Sequence, residues 1–129
     1  MMRRILVMGL GLMVLYAGAG EARGEEREKA APAAPAPKAF QKGESLYNGK
    51  CVSCHGTRGV GTDKGPPFLS RIYEPGHHGD EAFQRAVQMG VRPHHWNFGP
   101  MPPVPGVNRE EATAIIGYIR WFQRLAGIE

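Results

Sequence analysis

Residues 51–55 of the chain read Cys51-Val52-Ser53-Cys54-His55, and this motif is the most informative segment of the sequence. Two thiols three residues apart, followed at once by an imidazole, are typical of covalent haem attachment. In that interpretation Cys51 and Cys54 bond to the two vinyl groups of one haem c, and His55 is the proximal iron ligand. The alternatives are a thioredoxin-like redox pair or a single disulfide, but a thioredoxin-type pair follows a β-strand, and no strand-like alternation precedes Cys51. The motif therefore predicts one covalent haem c.

A haem iron with Met/His ligation needs a sixth ligand on its opposite face, and a thioether sulfur suits that position. Of the six methionines, four precede residue 20, which leaves Met89 and Met101. Met89 ends a predicted helix, where a methionine that packs against other helices is expected. Met101 lies in the sequence GPMPP (residues 99–103), a stiff loop suited to holding a weak ligand at bonding distance. We predict Met101 as the sixth ligand, with His94 or His95 as the main competitor because imidazole binds haem iron well.

Two helices are predicted from apolar periodicity and capping signals. The first covers Asp80 to Met89, with Asp80 as its N-cap and Gly90 as its terminator. The second opens with Asn108 and Glu111, which have the spacing of a capping box. Its apolar positions recur at helical spacing, namely Ala112, Ile115, Ile116, Ile119 and Phe122. This stripe predicts a core-facing helix rather than a groove for a partner.

Residues 40–129 resemble the class I c-type cytochromes, and the resemblance extends beyond the haem motif. The pattern Gly43-x-x-x-Tyr47-x-x-x-Cys51 looks like the family's N-terminal helix. Ile115 and Tyr118 look like the residues of the last helix that pack against it, with glycine needed at position 43 because the two helices cross closely. The resemblance implies an all-α domain with the cytochrome c fold: three main helices and Gly/Pro-rich loops around one covalent haem.

The resemblance also implies two further contacts at the haem site. Gly65-Pro66 is similar to the segment whose proline carbonyl accepts a hydrogen bond from the proximal histidine, so Pro66 is expected to orient His55. Trp96 precedes Met101 by five residues, as does a tryptophan that donates to a haem propionate in the small bacterial members of the family. A core-packing Trp96 without that bond is the alternative.

The pairs His77-His78 and His94-His95 depart from the pattern of the family. Paired histidines can ligate a second metal, but adjacent residues rarely both point inward. Histidines exposed on loops are therefore the expected interpretation, and His94 or His95 beside a haem propionate is a further alternative.

The N-terminal segment has the composition of an export signal. Arg3 and Arg4 precede an apolar run that closes with the small residues Ala17-Gly18-Ala19. A positively charged N-terminus, a short apolar segment and small residues at a possible cleavage site predict a secretory signal peptide over residues 1–19, and hence a periplasmic protein. An uncleaved segment that anchors the protein to the membrane, facing the periplasm, is the alternative. Residues 20–39 are charged and then rich in Ala and Pro, which predicts an extended linker before a cytochrome c domain at residues 40–129.

Length and composition exclude several classes of protein. A chain of 129 residues fits one modest domain and excludes a multidomain enzyme. Its formal net charge of +4, half of it from Arg3 and Arg4, comes without the basic stripe of nucleic-acid binders. Two cysteines are too few for a disulfide-dense scaffold.

These observations together predict an electron-transfer protein rather than an enzyme. With His55 and Met101 as axial ligands, one haem would shuttle single electrons between redox partner proteins that dock transiently at the haem edge. Two alternatives stay open: the haem subunit of a larger dehydrogenase or oxidase complex, and a ligand-binding or sensory haem protein with a labile sixth ligand. Membrane contact is expected only if the signal segment is uncleaved.

Overall fold

The computed structural model describes residues 34–129, so the predicted signal peptide and most of the predicted linker lie outside the described residues. Within this range the only strand-like feature is one isolated bridge between Val91 and Met101, and the rest is helix, turn and loop. The all-α prediction with three main helices is confirmed, with one short extra helix at the haem motif. The helices are α1 (Gln41–Lys50), α2 (Val52–His55), α3 (Asp80–Met89) and α4 (Arg109–Leu125), and single 3₁₀ turns cover Lys38–Phe40, Thr57–Gly59 and Arg71–Tyr73.

Helices α1 and α4 cross in close contact at Gly43. A Cβ atom at position 43 would lie 2.0 Å from the carbonyl oxygen of Ala114, so only glycine fits this crossing. One turn further along α1, the rings of Tyr47 and Tyr118 pack edge to face with their centroids 5.5 Å apart. The crossing predicted from the resemblance is therefore confirmed, and it sets the position of the haem motif that follows α1.

Helix α4 is the central element of the core. The Asn108 side chain accepts a hydrogen bond from the backbone N–H of Glu111 at 2.9 Å, and the Glu111 carboxylate accepts one from the backbone N–H of Asn108 at 3.0 Å, which confirms the capping box. Its buried apolar face confirms the predicted stripe and packs against Tyr47, Phe68 and Phe83. The apolar residues that α4 buries are Ala112, Ile115, Ile116, Tyr118, Ile119, Trp121 and Phe122.

Two polar side chains of α4 are buried and hold the long connection between α2 and α3. Arg120 donates to the carbonyl oxygen of Tyr73 at 2.7 Å and to that of His78, and its Nε donates to Asp80 at 2.9 Å. Gln123, fully buried, donates to the carbonyl oxygen of Phe68 at 2.9 Å. The backbone carbonyl groups of the connection, which have no partner within a helix or sheet, thus fix it to α4.

The structure differs from the sequence-based expectations at three positions. Helix α3 is capped by Gly79 rather than by Asp80, which is its first residue, while Gly90 ends it at a φ of 77° as predicted. The interpretation of Met89 as a packing residue is wrong, since it is 74% exposed at the end of α3. Ala36, which the sequence assigns to the linker, is buried in the core, so the packed part begins before Phe40. Across the described part of the chain, every helix falls short of the length and apolar character that a membrane crossing needs.

Candidate functional site

A cavity of roughly 710 Å³ lies between α2, α3, α4 and the loop that joins the last two helices. This volume is within the range of pockets that bind small molecules and cofactors, about 300–1,000 Å³. Ile115, Ile116 and Ile119 of α4 form an apolar wall, and side chains of α3 form another. All six residues predicted for the haem site line this one cavity, namely Cys51, Cys54, His55, Pro66, Trp96 and Met101.

Helix α2, a single turn, positions the two thiols of the motif. Cys51 is half-buried at the junction of α1 and α2, and Cys54 is exposed one turn later. Burial, together with the neighbouring Cys54, raises the pKa of the Cys51 thiol to about 11. Redox-active cysteine pairs instead have a thiol whose pKa is lowered by its surroundings. The environment of Cys51 therefore disfavours the thioredoxin-like interpretation.

The imidazole of His55 is buried and held in a defined tautomer. Its Nδ1 lies 3.0 Å from the carbonyl oxygen of Pro66, and since a carbonyl oxygen only accepts, Nδ1 carries the proton. This is the contact that the resemblance implied, and it leaves Nε2 as the nitrogen with a free lone pair. The ring of Phe68 stacks on the imidazole at a centroid distance of 4.2 Å. Burial lowers the pKa of His55, which keeps the ring neutral and able to ligate a metal.

Met101 is half-buried and lies on a loop that is tied to the end of α3. The backbones of Val91 and Met101 exchange two hydrogen bonds, with N···O distances of 2.9 and 3.0 Å. Three residues further on, Val104 N–H donates to the carbonyl oxygen of Val87 in α3 at 2.8 Å. Gly90 permits this approach, because a Cβ there would lie 2.4 Å from the Met101 carbonyl oxygen. Proline restriction and this short ladder together fix the backbone that presents the thioether.

Trp96 has a buried N–H group with no hydrogen-bond partner in the described part of the chain. The indole N–H faces the phenol oxygen of Tyr73 closely enough to lower the pKa of that phenol, which burial raises, but the contact lacks the geometry of a hydrogen bond. Buried donors rarely lack a well-formed hydrogen bond, so the Nε1–H group is available to an acceptor on a bound group. An anionic propionate of a haem in the cavity is such an acceptor. The role of Met101 as an iron ligand stays a prediction, and so does the contact of Trp96 with a propionate.

The four loop histidines lie together beside the cavity, a convergence that the sequence does not predict. The rings of His77 and His95 are 5.1 Å apart, and those of His78 and His94 are 5.7 Å apart. His78 is half-buried and the other three are exposed, so exposure was predicted correctly for those three but their convergence was not. Desolvation by the packed rings, followed by repulsion from His94, His77 and His78, lowers the pKa of His95. His77 and His95 are 18 residues apart in the chain, and no local pattern signals that their loops meet.

The residues that hold the His55 ring and the adjacent loop backbone in place were not predicted from the sequence. No sequence pattern singled out Phe68, and only the folded chain shows that its ring stacks on His55. The roles of Arg120 and Gln123 were not foreseen, because buried polar residues in an amphipathic helix are indistinguishable from exposed ones by periodicity alone.

The donor set of the cavity fits a c-type haem. Two thiols, a neutral imidazole with a free Nε2, a thioether on a fixed loop and an unpaired N–H donor line the same apolar space. Comparison with known proteins agrees with this chemistry: the family model described as Cytochrome c matches residues 40–123. No significant match is found among curated proteins or among solved structures. The chain belongs to the cytochrome c family, and its haem c is held covalently by Cys51 and Cys54.

Proposed function

We propose that this protein is an electron carrier of the periplasm, with His55 and Met101 as the two axial ligands of its haem iron. Bound in the cavity, the haem supplies a one-electron couple between ferrous and ferric iron. The single observation that carries the proposal is that His55 and Met101 line one cavity, each on backbone fixed by hydrogen bonds. With both axial positions filled by the chain, small molecules are excluded from the iron, which favours a carrier over an enzyme or a sensor.

Fixed ligands also suit electron transfer because they limit rearrangement between the two oxidation states. The Nδ1 bond to Pro66 holds the His55 ring, and Phe68 stacks on its face. On the other side, the backbone pairing with Val91 holds the Met101 loop. Both contacts are made by groups other than the iron-binding atoms, which favours one geometry for both oxidation states.

The partner is proposed to dock where the cavity opens at the surface. Three exposed basic side chains, Lys50, Arg85 and Arg92, are among the residues that line the cavity. An acidic surface on the partner complements them and would speed the encounter without requiring a large interface. The periplasmic location rests on the N-terminal sequence alone, and it agrees with covalent haem attachment outside the cytoplasm.

The test compares Met101→Ala with Met89→Ala in the haem-loaded protein. Met101→Ala is expected to keep the haem, lower its midpoint potential by on the order of 100 mV, and allow carbon monoxide to bind the ferrous iron, because the thioether is lost. Met89→Ala, a matched control at the exposed methionine, should leave the potential and the spectrum unchanged. Optical and magnetic spectroscopy of both proteins measures the outcome.

Two results of this experiment would contradict the proposal. If the spectroscopic signature of methionine ligation survives in Met101→Ala, the sixth ligand is another residue. If the unmodified protein itself binds carbon monoxide readily at neutral pH, the iron has an accessible position, and the ligand-binding alternative is favoured. Stable co-purification with a larger redox enzyme would support the subunit alternative instead of a free carrier.

A further inference from the structure

We propose that His77, His78 and His95 form a second metal site, separate from the haem iron, for a first-row divalent cation of the Zn²⁺ type. The three residues each offer one nitrogen, and these nitrogens all lie within 4.8 Å of one another. Neutral imidazole is a common ligand of Zn²⁺ and of its transition-metal neighbours. Three histidines with a water molecule in the fourth position make a tetrahedral site, and the exposure of this surface leaves room for that water.

The spacing of two of the nitrogens already matches a shared metal ion. Nε2 of His77 and Nε2 of His95 are 3.2 Å apart. Two nitrogens that are each about 2.0–2.1 Å from a tetrahedral ion lie about 3.3 Å from one another. The third nitrogen, from His78, lies within 4.8 Å of both of them. Without a metal, the two neutral rings can share one N–H···N hydrogen bond, whereas a cation binds the lone pairs of both nitrogens at that distance.

The ring of His78 is oriented as metal-binding imidazoles commonly are. Its Nδ1 lies 2.6 Å from the carbonyl oxygen of Ile72, so Nδ1 carries the proton and Nε2 keeps its lone pair. Donation from the second ring nitrogen to a carbonyl group is the usual support of a histidine ligand, because it fixes the tautomer and raises ligand basicity. The site therefore has one ligand whose orientation is set before any metal arrives.

The backbone beneath the site is fixed by α4. Arg120 donates to the carbonyl oxygen of His78, and the amide groups of His77 and His78 both donate to the carbonyl oxygen of Glu74, closing a tight turn. Consecutive residues in such a turn can present both rings to the same side, although adjacent residues rarely do so. His95 lies on a different loop, the one that also contains Trp96.

Burial does not account for the convergence of these rings. His77 and His95 are exposed, so their contact removes little apolar surface from water, and protonation of the rings would make them repel one another. His94 belongs to the same cluster of rings but lies outside the group of three, and its Nδ1 is bonded to the carbonyl oxygen of Arg92 at 2.9 Å. It therefore serves as a matched control.

The experiment uses the haem-loaded protein, freed of metal by a chelator and titrated with Zn²⁺. Calorimetry and elemental analysis after dialysis should give one Zn²⁺ per chain, in addition to the haem iron. His77→Gln, His78→Gln and His95→Gln should each weaken binding by at least about 10-fold, while His94→Gln should change it by less than about 2-fold. Unchanged haem absorption and circular dichroism in every variant show that the fold is retained.

Three results would overturn the proposal. The first is no binding by the unmodified protein at about 100 μM free Zn²⁺. The second is a loss of affinity in His94→Gln as large as in His95→Gln, since the ligand assignment would then be wrong. The third is a change in the axial ligand signature of the haem when Zn²⁺ binds, which would place the ion at the haem ligands instead. The second site rests on Met101, rather than His95, as the sixth haem ligand, and Met101→Ala tests that assignment separately from Zn²⁺ binding.

Discussion

Replacing Gly43 with alanine is expected to force α1 and α4 apart. The new Cβ would lie 2.0 Å from the Ala114 carbonyl oxygen and 2.9 Å from Tyr118 Cβ, whereas ordinary contact begins near 3.4 Å. The obstructing oxygen belongs to the backbone of a long helix, so no side-chain rotation relieves the overlap. Overpacking of this kind costs roughly 3 kcal/mol of folding stability, and the better helix propensity of alanine returns about 1 kcal/mol.

The net loss is therefore about 2 kcal/mol, or roughly 10 °C in Tm for a domain of this size. Gly49→Ala is the matched control, because Gly49 is in the same helix and a Cβ atom added there would meet no other atom within 4 Å. That substitution should raise stability by about 0.5–1 kcal/mol through helix propensity alone. Guanidinium unfolding of both haem-loaded proteins, followed by far-ultraviolet circular dichroism, measures the difference. Equal stability of the two variants would refute the crossing geometry derived above.

Two further predictions concern buried polar groups, each with a control of the same residue type. Arg120→Met should lower the free energy of unfolding by roughly 3 kcal/mol, since it leaves the carbonyl oxygen of His78 and the buried side-chain oxygen of Gln123 without their donor. Arg109→Met, at an ion pair whose side chains are 59% and 65% exposed, should cost less than about 1 kcal/mol in the same unfolding assay. Trp96→Phe should lower the midpoint potential by on the order of 20 mV in redox titration, because a donor to a propionate offsets negative charge near the iron. Trp121 lies in the core away from the cavity, so Trp121→Phe should lower stability and leave the midpoint potential unchanged within error. A shift in potential as large as that of Trp96→Phe would show that the effect is not local.

Features that depend on neighbouring residues were the ones predictable from the sequence. The haem motif, the capping box of Asn108 and Glu111, and the end of α3 at Gly90 each involve side chains and backbone within one or two turns. Gly43 was also identified, but through resemblance to a family, since no local rule states which glycine lies at a helix crossing. Met89 shows the limit of periodicity, because a residue at the last position of a helix can face solvent whatever its pattern.

Features that depend on the path of the loops were not predictable. Residues 56–79 and 90–108 contain mostly short turns, and their course is set by tertiary hydrogen bonds such as those from Gln123 to Phe68 and from Arg120 to His78. No periodic signal encodes such contacts, which join residues more than 40 positions apart. The histidine cluster belongs to this class, and so does the stacking of Phe68 on His55.

These long-range contacts connect the two proposed metal environments through α4. Gln123 fixes the backbone of Phe68, which stacks on the His55 ring, and three residues earlier Arg120 fixes the backbone of His78. Arg120 also donates to the Gln123 side chain at 2.8 Å, so the two anchors form one buried unit. Loss of Arg120 should therefore loosen the histidine cluster first, because His78 depends on it directly, and the proximal side of the haem second, through Gln123. The order follows from the contacts alone, since Gln123 keeps its own bond to Phe68 when Arg120 is absent.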